Sequence, residues 1–213
     1  MKNKYVIFDL DDTLIYEIDY LKSAYYEIAG GLDYDNKDQL FDEMYTWYTQ
    51  RENVFDLLIE RYPQNNKETL LNIYREHIPE LYLNEGAMDL LEFCKLNKYS
   101  IGLITDGRSI TQRNKLKALG IENFFDQIIV SEEFGSEKPD ERNFRIFMKD
   151  DVKEYFYIAD NTKKDFITPN ALGWTSICLL DNGNNIHSQT FDVDENSLPK
   201  YKVKSLLEVL DLI

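Results

Sequence analysis

The chain has 213 residues, enough to bury a full core and to carry a smaller second unit beside a domain of ordinary size. Apolar residues at 43% and aromatic residues at 14% exclude a disordered chain. The formal charge of −15 argues against nucleic acid as a partner and demands local cations wherever a phosphate group is to be held.

After Lys2 and Lys4, the run Tyr5-Val6-Ile7-Phe8 is apolar throughout, as expected of a strand buried on both faces of a parallel sheet. It stops at Asp9, too short and too acidic for a signal peptide, and no run reaches membrane-spanning length. Cys94 and Cys178 lie far apart and read as reduced core thiols, so a cytoplasmic location with no membrane partner is expected. Asp9, Asp11 and Asp12 follow the strand directly. On an extended backbone Asp9 and Asp11 leave the same face, and carboxylates so crowded call for a cation or a proton between them. The pair suits a hard ion such as Mg²⁺, or one carboxylate acting as nucleophile while the other moves protons. The bland alternative is a solvated acidic turn.

From Ile15 to Glu85 apolar residues recur at three- and four-residue steps, giving about four amphipathic helices punctuated by Gly30-Gly31, Pro63 and Pro79. Residues 15–85 therefore form a helical unit inserted into an α/β core made of 1–14 and 86–213. Beyond it, a helix is expected over 86–97, a strand over 99–105, a helix over 111–119 closed by Gly120, and a strand over 127–131. A helix over 141–148, a strand over 155–159 ending at Asp160, a helix over 166–172 and a strand over 175–180 follow. Residues 181–200 read as an irregular surface loop, and 205–212 as a closing helix capped by Ser205. Strands alternating with helices make a doubly wound parallel sheet, whose ligands lie beyond the carboxyl ends of the strands. Asp9, Thr105 and Asp160 each fall at such an end.

The order of Asp9-Leu10-Asp11-Asp12-Thr13-Leu14, Thr105-Asp106-Gly107, Glu137-Lys138-Pro139-Asp140 and Asp160-Asn161-Thr162-Lys163-Lys164-Asp165 resembles the four motifs of the haloacid dehalogenase superfamily. The stretch from the first motif to the second is far longer than that from the second to the third, as in the helical-cap (C1) branch. The motifs look most like those of pyrimidine nucleotidases and acylneuraminate phosphatases. The resemblance implies that Asp9 is the nucleophile and Asp11 the acid and base. Thr105, the amides of Asp106 and Gly107, and Lys138 would hold the phosphoryl group. Mg²⁺ would sit on Asp9, the main-chain carbonyl of Asp11 and Asp160, with Asp165 either a ligand through water or a partner that orients the ligands. Dehalogenases of the superfamily lack an acid at the position of Asp11, so a phosphate substrate is implied. Ala159 departs from the family in standing where a glycine commonly precedes the acid.

The expected activity is hydrolysis of a small-molecule phosphate monoester, such as a nucleoside monophosphate or sugar phosphate. A phosphosugar mutase and a non-catalytic sugar-phosphate-binding regulator are the alternatives. Arg51, Tyr20 and Trp47 in the helical unit and Arg108 beside the second motif are candidates to touch the leaving group, weighed against packing or surface roles. His77 and His187 lack any partner pattern and read as structural or solvated.

Overall fold

The computed structural model describes residues 4–213; Lys2 lies outside them. In β1 (Lys4–Phe8) successive side chains enter different cores. Tyr5 and Ile7 pack with Phe144, Phe147, Tyr157 and Trp174, whereas Val6 and Phe8 pack with Leu90, Leu103, Leu116 and Ile158. This two-residue alternation, with both faces covered, is why the run carries no polar residue before Asp9.

Five further strands join β1 in one sheet: β2 (Ser100–Thr105), β3 (Gln127–Val130), β4 (Glu154–Ala159), β5 (Thr175–Leu179) and β6 (Tyr201–Val203). All pairings are parallel, in the order β3-β2-β1-β4-β5-β6. The chain reverses its direction of travel across the sheet at β1 and β4, so the switch point, where such folds bind ligands, lies between their carboxyl ends. There the Asp9 amide donates to the Ile158 carbonyl (2.9 Å), tying the first carboxylate to the strand that delivers Asp160.

Helices α1 (Glu17–Leu32), α2 (Lys37–Thr49), α3 (Val54–Arg61) and α4 (Lys67–Glu76) enclose an apolar cluster of their own that includes Leu21, Ile28, Met44, Leu58 and Leu70. Asn53 and Asn66 cap α3 and α4 through the amides of Asp56 (3.3 Å) and Thr69 (2.8 Å). The two chain crossings between this unit and the sheet lie side by side. The Asn84 amide donates to the Leu14 carbonyl (2.8 Å) and its side chain to the Thr13 carbonyl (2.9 Å). One sheet face is covered by α5 (Ala87–Leu96) and α6 (Ser109–Leu119), the latter ending at Gly120 with φ 67°. The other carries α8 (Arg142–Arg145) and α9 (Ile167–Ala171), while α7 (Ser131–Phe134) follows β3 directly. No helix among the described residues is long and apolar enough to cross a membrane.

Several local expectations are corrected. Gly30-Gly31 does not break the chain but forms the last turn of α1, where nothing crowds either residue. The helix expected over 141–148 is confined to Arg142–Arg145, with turns that still bury Phe144 and Phe147. The closing helix is a 3-10 helix over Leu206–Asp211, capped by the Ser205 hydroxyl on the Leu207 amide (3.2 Å). β6 was not expected from the sequence: three residues at a sheet edge, only Val203 buried, leave almost no periodic signal.

Gly102 in the middle of β2 faces the Phe147 ring, and a Cβ placed there would lie 2.4 Å from Phe147 Cε1. Gly102→Ala is expected to cost about 1–3 kcal/mol by overpacking and to lower the melting temperature by several degrees. The loss should be largely recovered in Gly102→Ala combined with Phe147→Leu, as read by thermal denaturation.

Candidate active site

Asp9 leaves the end of β1 almost fully buried, and its Oδ1 accepts from the Leu10 amide (2.8 Å). The chain then turns through Asp12, whose left-handed φ of 54° an aspartate tolerates. Both Asp12 oxygens are engaged, Oδ1 by the Glu17 amide (2.9 Å) and Oδ2 by the Ile186 amide (3.1 Å), so Asp12 ties α1 to the loop before β6. Lys138, from the loop after β3, lies between two carboxylates: its Nζ is 2.8 Å from Asp9 Oδ1 and 2.9 Å from Asp165 Oδ1. Thr105 ends β2. Asp106 is spoken for twice, accepting from the Lys138 amide (3.1 Å) and pairing with Lys164 (2.6 Å).

Asp9, Asp11, Thr105, Asp106, Lys138 and Asp160 thus line one cavity of about 140 Å³. Asp165 lies beneath it, fully buried. Asp9, Asp160 and Asp165 each offer a carboxylate oxygen, and the three lie within 4.8 Å of one another. Crowding shows in the proton affinities of Asp9 and Asp160. Burial, opposed by Lys138 and aided by Asp165, pushes Asp9 up to about 7. Burial and then the charges of Asp165 and Asp9 push Asp160 up to about 9. Burial works against the charge on Lys138, but Asp165 and Asp9 outweigh it and hold the ammonium well above its usual range. One lysine for three buried carboxylates leaves room for a further cation, and an all-oxygen donor set suits a hard divalent ion.

The sequence reading missed the groups that hold Asp11. Lys115 of α6, only 2% exposed, places Nζ 2.6 Å from Asp11 Oδ1. Gln112, one turn earlier, donates from Nε2 to Asp11 Oδ2 (2.9 Å) and also contacts Thr105 Oγ1 (2.5 Å). Their one-turn spacing on a helix starting just after Thr105-Asp106-Gly107 was the available signal. The loop 181–200 is also part of the site. Asn185 Nδ2 donates to Asp160 Oδ2 (2.9 Å), and Gln189 Nε2 to the Asp160 carbonyl (2.7 Å). His187, read as structural or solvated, lines the cavity, as do Asn161 and Lys164. His77 is half-buried and bonded to the Tyr74 carbonyl and Ser23.

Five residues expected at the site do not line this cavity. The Gly107 amide donates to Ser131 Oγ (2.9 Å), and Gly107 lines a separate open cleft together with Arg108. Arg108 is exposed and faces Glu132 (3.8 Å). Arg51 is exposed just past α2, with a left-handed φ of 62°, and is absent from the cavity lining. Tyr20 and Trp47 are packing residues, Tyr20 beneath Lys115 and Trp47 against the helical cluster. The single residue of the helical unit that reaches the cavity is Glu17.

A parallel sheet with carboxylates gathered at its switch point around a buried lysine defines a class of hydrolase site, and comparison with known proteins agrees. The profile of the haloacid dehalogenase-like hydrolases matches residues 6–179. A glyceraldehyde 3-phosphate phosphatase of Methanocaldococcus jannaschii is 26% identical, over 99% of this chain and 96% of that protein. The pyrimidine 5'-nucleotidase YjjG of Escherichia coli is 29% identical, over 60% of this chain and 55% of that one. In fold, the chain is similar to the magnesium-bound HAD-hydrolase YfnB of Bacillus subtilis (TM-score 0.66, 20% identity, 100% and 99% coverage). The chain belongs to the haloacid dehalogenase-like hydrolase family.

The raised carboxylates set a sign for stability against pH. Each keeps its proton to higher pH when folded than when unfolded, so the folded chain binds more protons and stability falls as pH rises. The window runs from the ordinary carboxylate range near 4 to about 7 for Asp9 and to about 9 for Asp160. With chelator present, the melting temperature is expected to fall steadily between pH 5 and 9. In Asp160→Asn that slope should be visibly shallower.

Proposed function

We propose that this chain is a Mg²⁺-dependent phosphomonoesterase that works through an aspartyl-phosphate on Asp9 and acts on small-molecule phosphate esters in the cytoplasm. The observation that carries the reading is a buried Asp9 beside Lys138 at 2.8 Å, in one cavity with Asp11, Thr105 and Asp160. The phosphatase and nucleotidase names of its relatives support a phosphate ester as substrate.

In the first step an Asp9 oxygen bonds to phosphorus as the bond from phosphorus to the leaving oxygen breaks. Asp11 gives that oxygen its proton. In the second, Asp11 takes a proton from water, the water oxygen bonds to phosphorus, and the bond to Asp9 breaks to release inorganic phosphate. Thr105 Oγ1 and the Asp106 amide hold the transferring oxygens, while Lys138 offsets the repulsion between the Asp9 carboxylate and the phosphate. Asp9, Asp160 and the Asp11 carbonyl, with Asp165 as a further partner, would hold magnesium, which would supply positive charge to the phosphoryl oxygens. The helical unit, residues 15–85, acts as a cap that limits water at the strand ends. Lys115 and Gln112 are positioning residues, fixing the Asp11 carboxylate from both oxygens.

Asp9→Asn is expected to lower turnover of p-nitrophenyl phosphate by roughly 10³-fold or more. Chelation should abolish it in the parent and Mg²⁺ restore it; full Mg²⁺-dependent activity in Asp9→Asn would remove the nucleophile. Lys115→Met should separate the two steps. Nitrophenolate leaves without a proton, so a first-turnover burst is expected to survive before a slow steady state. An alkyl phosphate, which needs Asp11 to protonate its leaving oxygen, should lose roughly 10²-fold from the first turnover onward.

A further inference from the structure

Glu17 is the first residue of α1, and its backbone is fixed at the rim of the cavity by the bond from its amide to Asp12 Oδ1 (2.9 Å). Its half-buried carboxylate lines the cavity and accepts no hydrogen bond from any described residue. The neighbouring cations are committed elsewhere: Lys138 to Asp9 and Asp165, Lys164 to Asp106, Lys115 to Asp11. A carboxylate with unused acceptors, carried by the helical unit and facing the bed where the phosphoryl group would lie, meets whatever is attached to that group.

We infer that Glu17 selects the leaving group: it accepts hydrogen bonds from a hydroxyl-bearing or ammonium-bearing leaving group and excludes one that carries a second anion. The inference rests on the phosphatase reading above and narrows its substrate class to monoesters of neutral polyols or amino alcohols. Charge accounting gives the direction. Besides Glu17 the cavity is lined by Asp9, Asp11, Asp12, Asp106 and Asp160, and its lysines are already paired. The phosphoryl group uses the cationic capacity at Lys138, which leaves none for a second phosphate or carboxylate beside Glu17. Burial and then the charge of Asp11 raise the Glu17 carboxyl to about 7; above that pH it is an unpaired like charge at the cavity wall, acting as repulsion against the wrong ligand as well as attraction for the right one.

Three esters of similar size separate the possibilities: glycerol 3-phosphate, phosphoethanolamine and 3-phosphoglycerate, with p-nitrophenyl phosphate as reference. With the full chain and Mg²⁺, kcat/KM is expected to be lowest for 3-phosphoglycerate. In Glu17→Gln the ratio of 3-phosphoglycerate to glycerol 3-phosphate should rise roughly tenfold, and phosphoethanolamine should fall against glycerol 3-phosphate. In Glu17→Lys the order of 3-phosphoglycerate and phosphoethanolamine should invert. A Glu17→Gln effect that scales all three esters by one factor overturns the inference, as does a parent enzyme that prefers 3-phosphoglycerate, while hydrolysis of p-nitrophenyl phosphate leaves the phosphatase reading standing. Absence of turnover on all four esters removes the phosphatase reading and the selection with it.

Discussion

The bridge from Lys138 to Asp9 and Asp165 is the interaction on which the rest of the site depends. It joins three segments that are remote in sequence: the end of β1, the loop after β3 and the turn after β4. All three side chains are nearly or wholly withdrawn from water. A buried ion pair contributes little net stability by itself, but removing one partner leaves an uncompensated charge at a cost of about 3–5 kcal/mol. Lys138 therefore fixes where the two carboxylates point. Tyr157 Oη, at 3.5 Å from Asp165 Oδ1, extends the same network into the apolar cluster below.

The parts of this arrangement that were legible in the sequence are those that the sheet itself dictates. A strand buried on both faces is apolar along its middle, so Asp9, Thr105 and Asp160 announce the strand ends by interrupting apolar runs. Lys138 lies in a loop and carried no periodic signal; only its place in the order of motifs marked it. What stayed hidden depends on tertiary approach. Lys115 and Gln112 are one turn apart on the helix that follows Thr105-Asp106-Gly107, but that spacing alone does not say that α6 turns them toward Asp11. Asn185 and Gln189 belong to a polar stretch with no period, brought back to Asp160 by a path that the missing β6 would have revealed. Arg51 and Arg108 were attractive for charge alone, and geometry sends both elsewhere.

The protein's acidity is resolved locally. In a chain of formal charge −15, Lys115 and Lys138 are buried and Lys164 is half-buried, each with a carboxylate partner. Pairing keeps Lys138 protonated despite burial, and it keeps Asp11 and Asp106 from adding their full charge to the cavity. The three converging carboxylates exceed what one lysine balances, which is the setting that a further cation would suit.

The helical unit reaches this centre along one face of α1. Glu17 meets the cavity, and Tyr20, three residues on and thus on the same face, lies under Lys115 with its ring centroid 4.4 Å from Nζ. The Tyr20 hydroxyl donates to the Tyr74 carbonyl (2.5 Å), so the ring is held by α4 while it faces the lysine that holds Asp11. Glu17 at the cavity and Tyr20 under the lysine that holds Asp11 are therefore one turn apart on a single helix. A displacement of α1 relative to the sheet would move both together. That arrangement follows from the start of α1 at Glu17, whose amide is bonded to Asp12 beside the cavity.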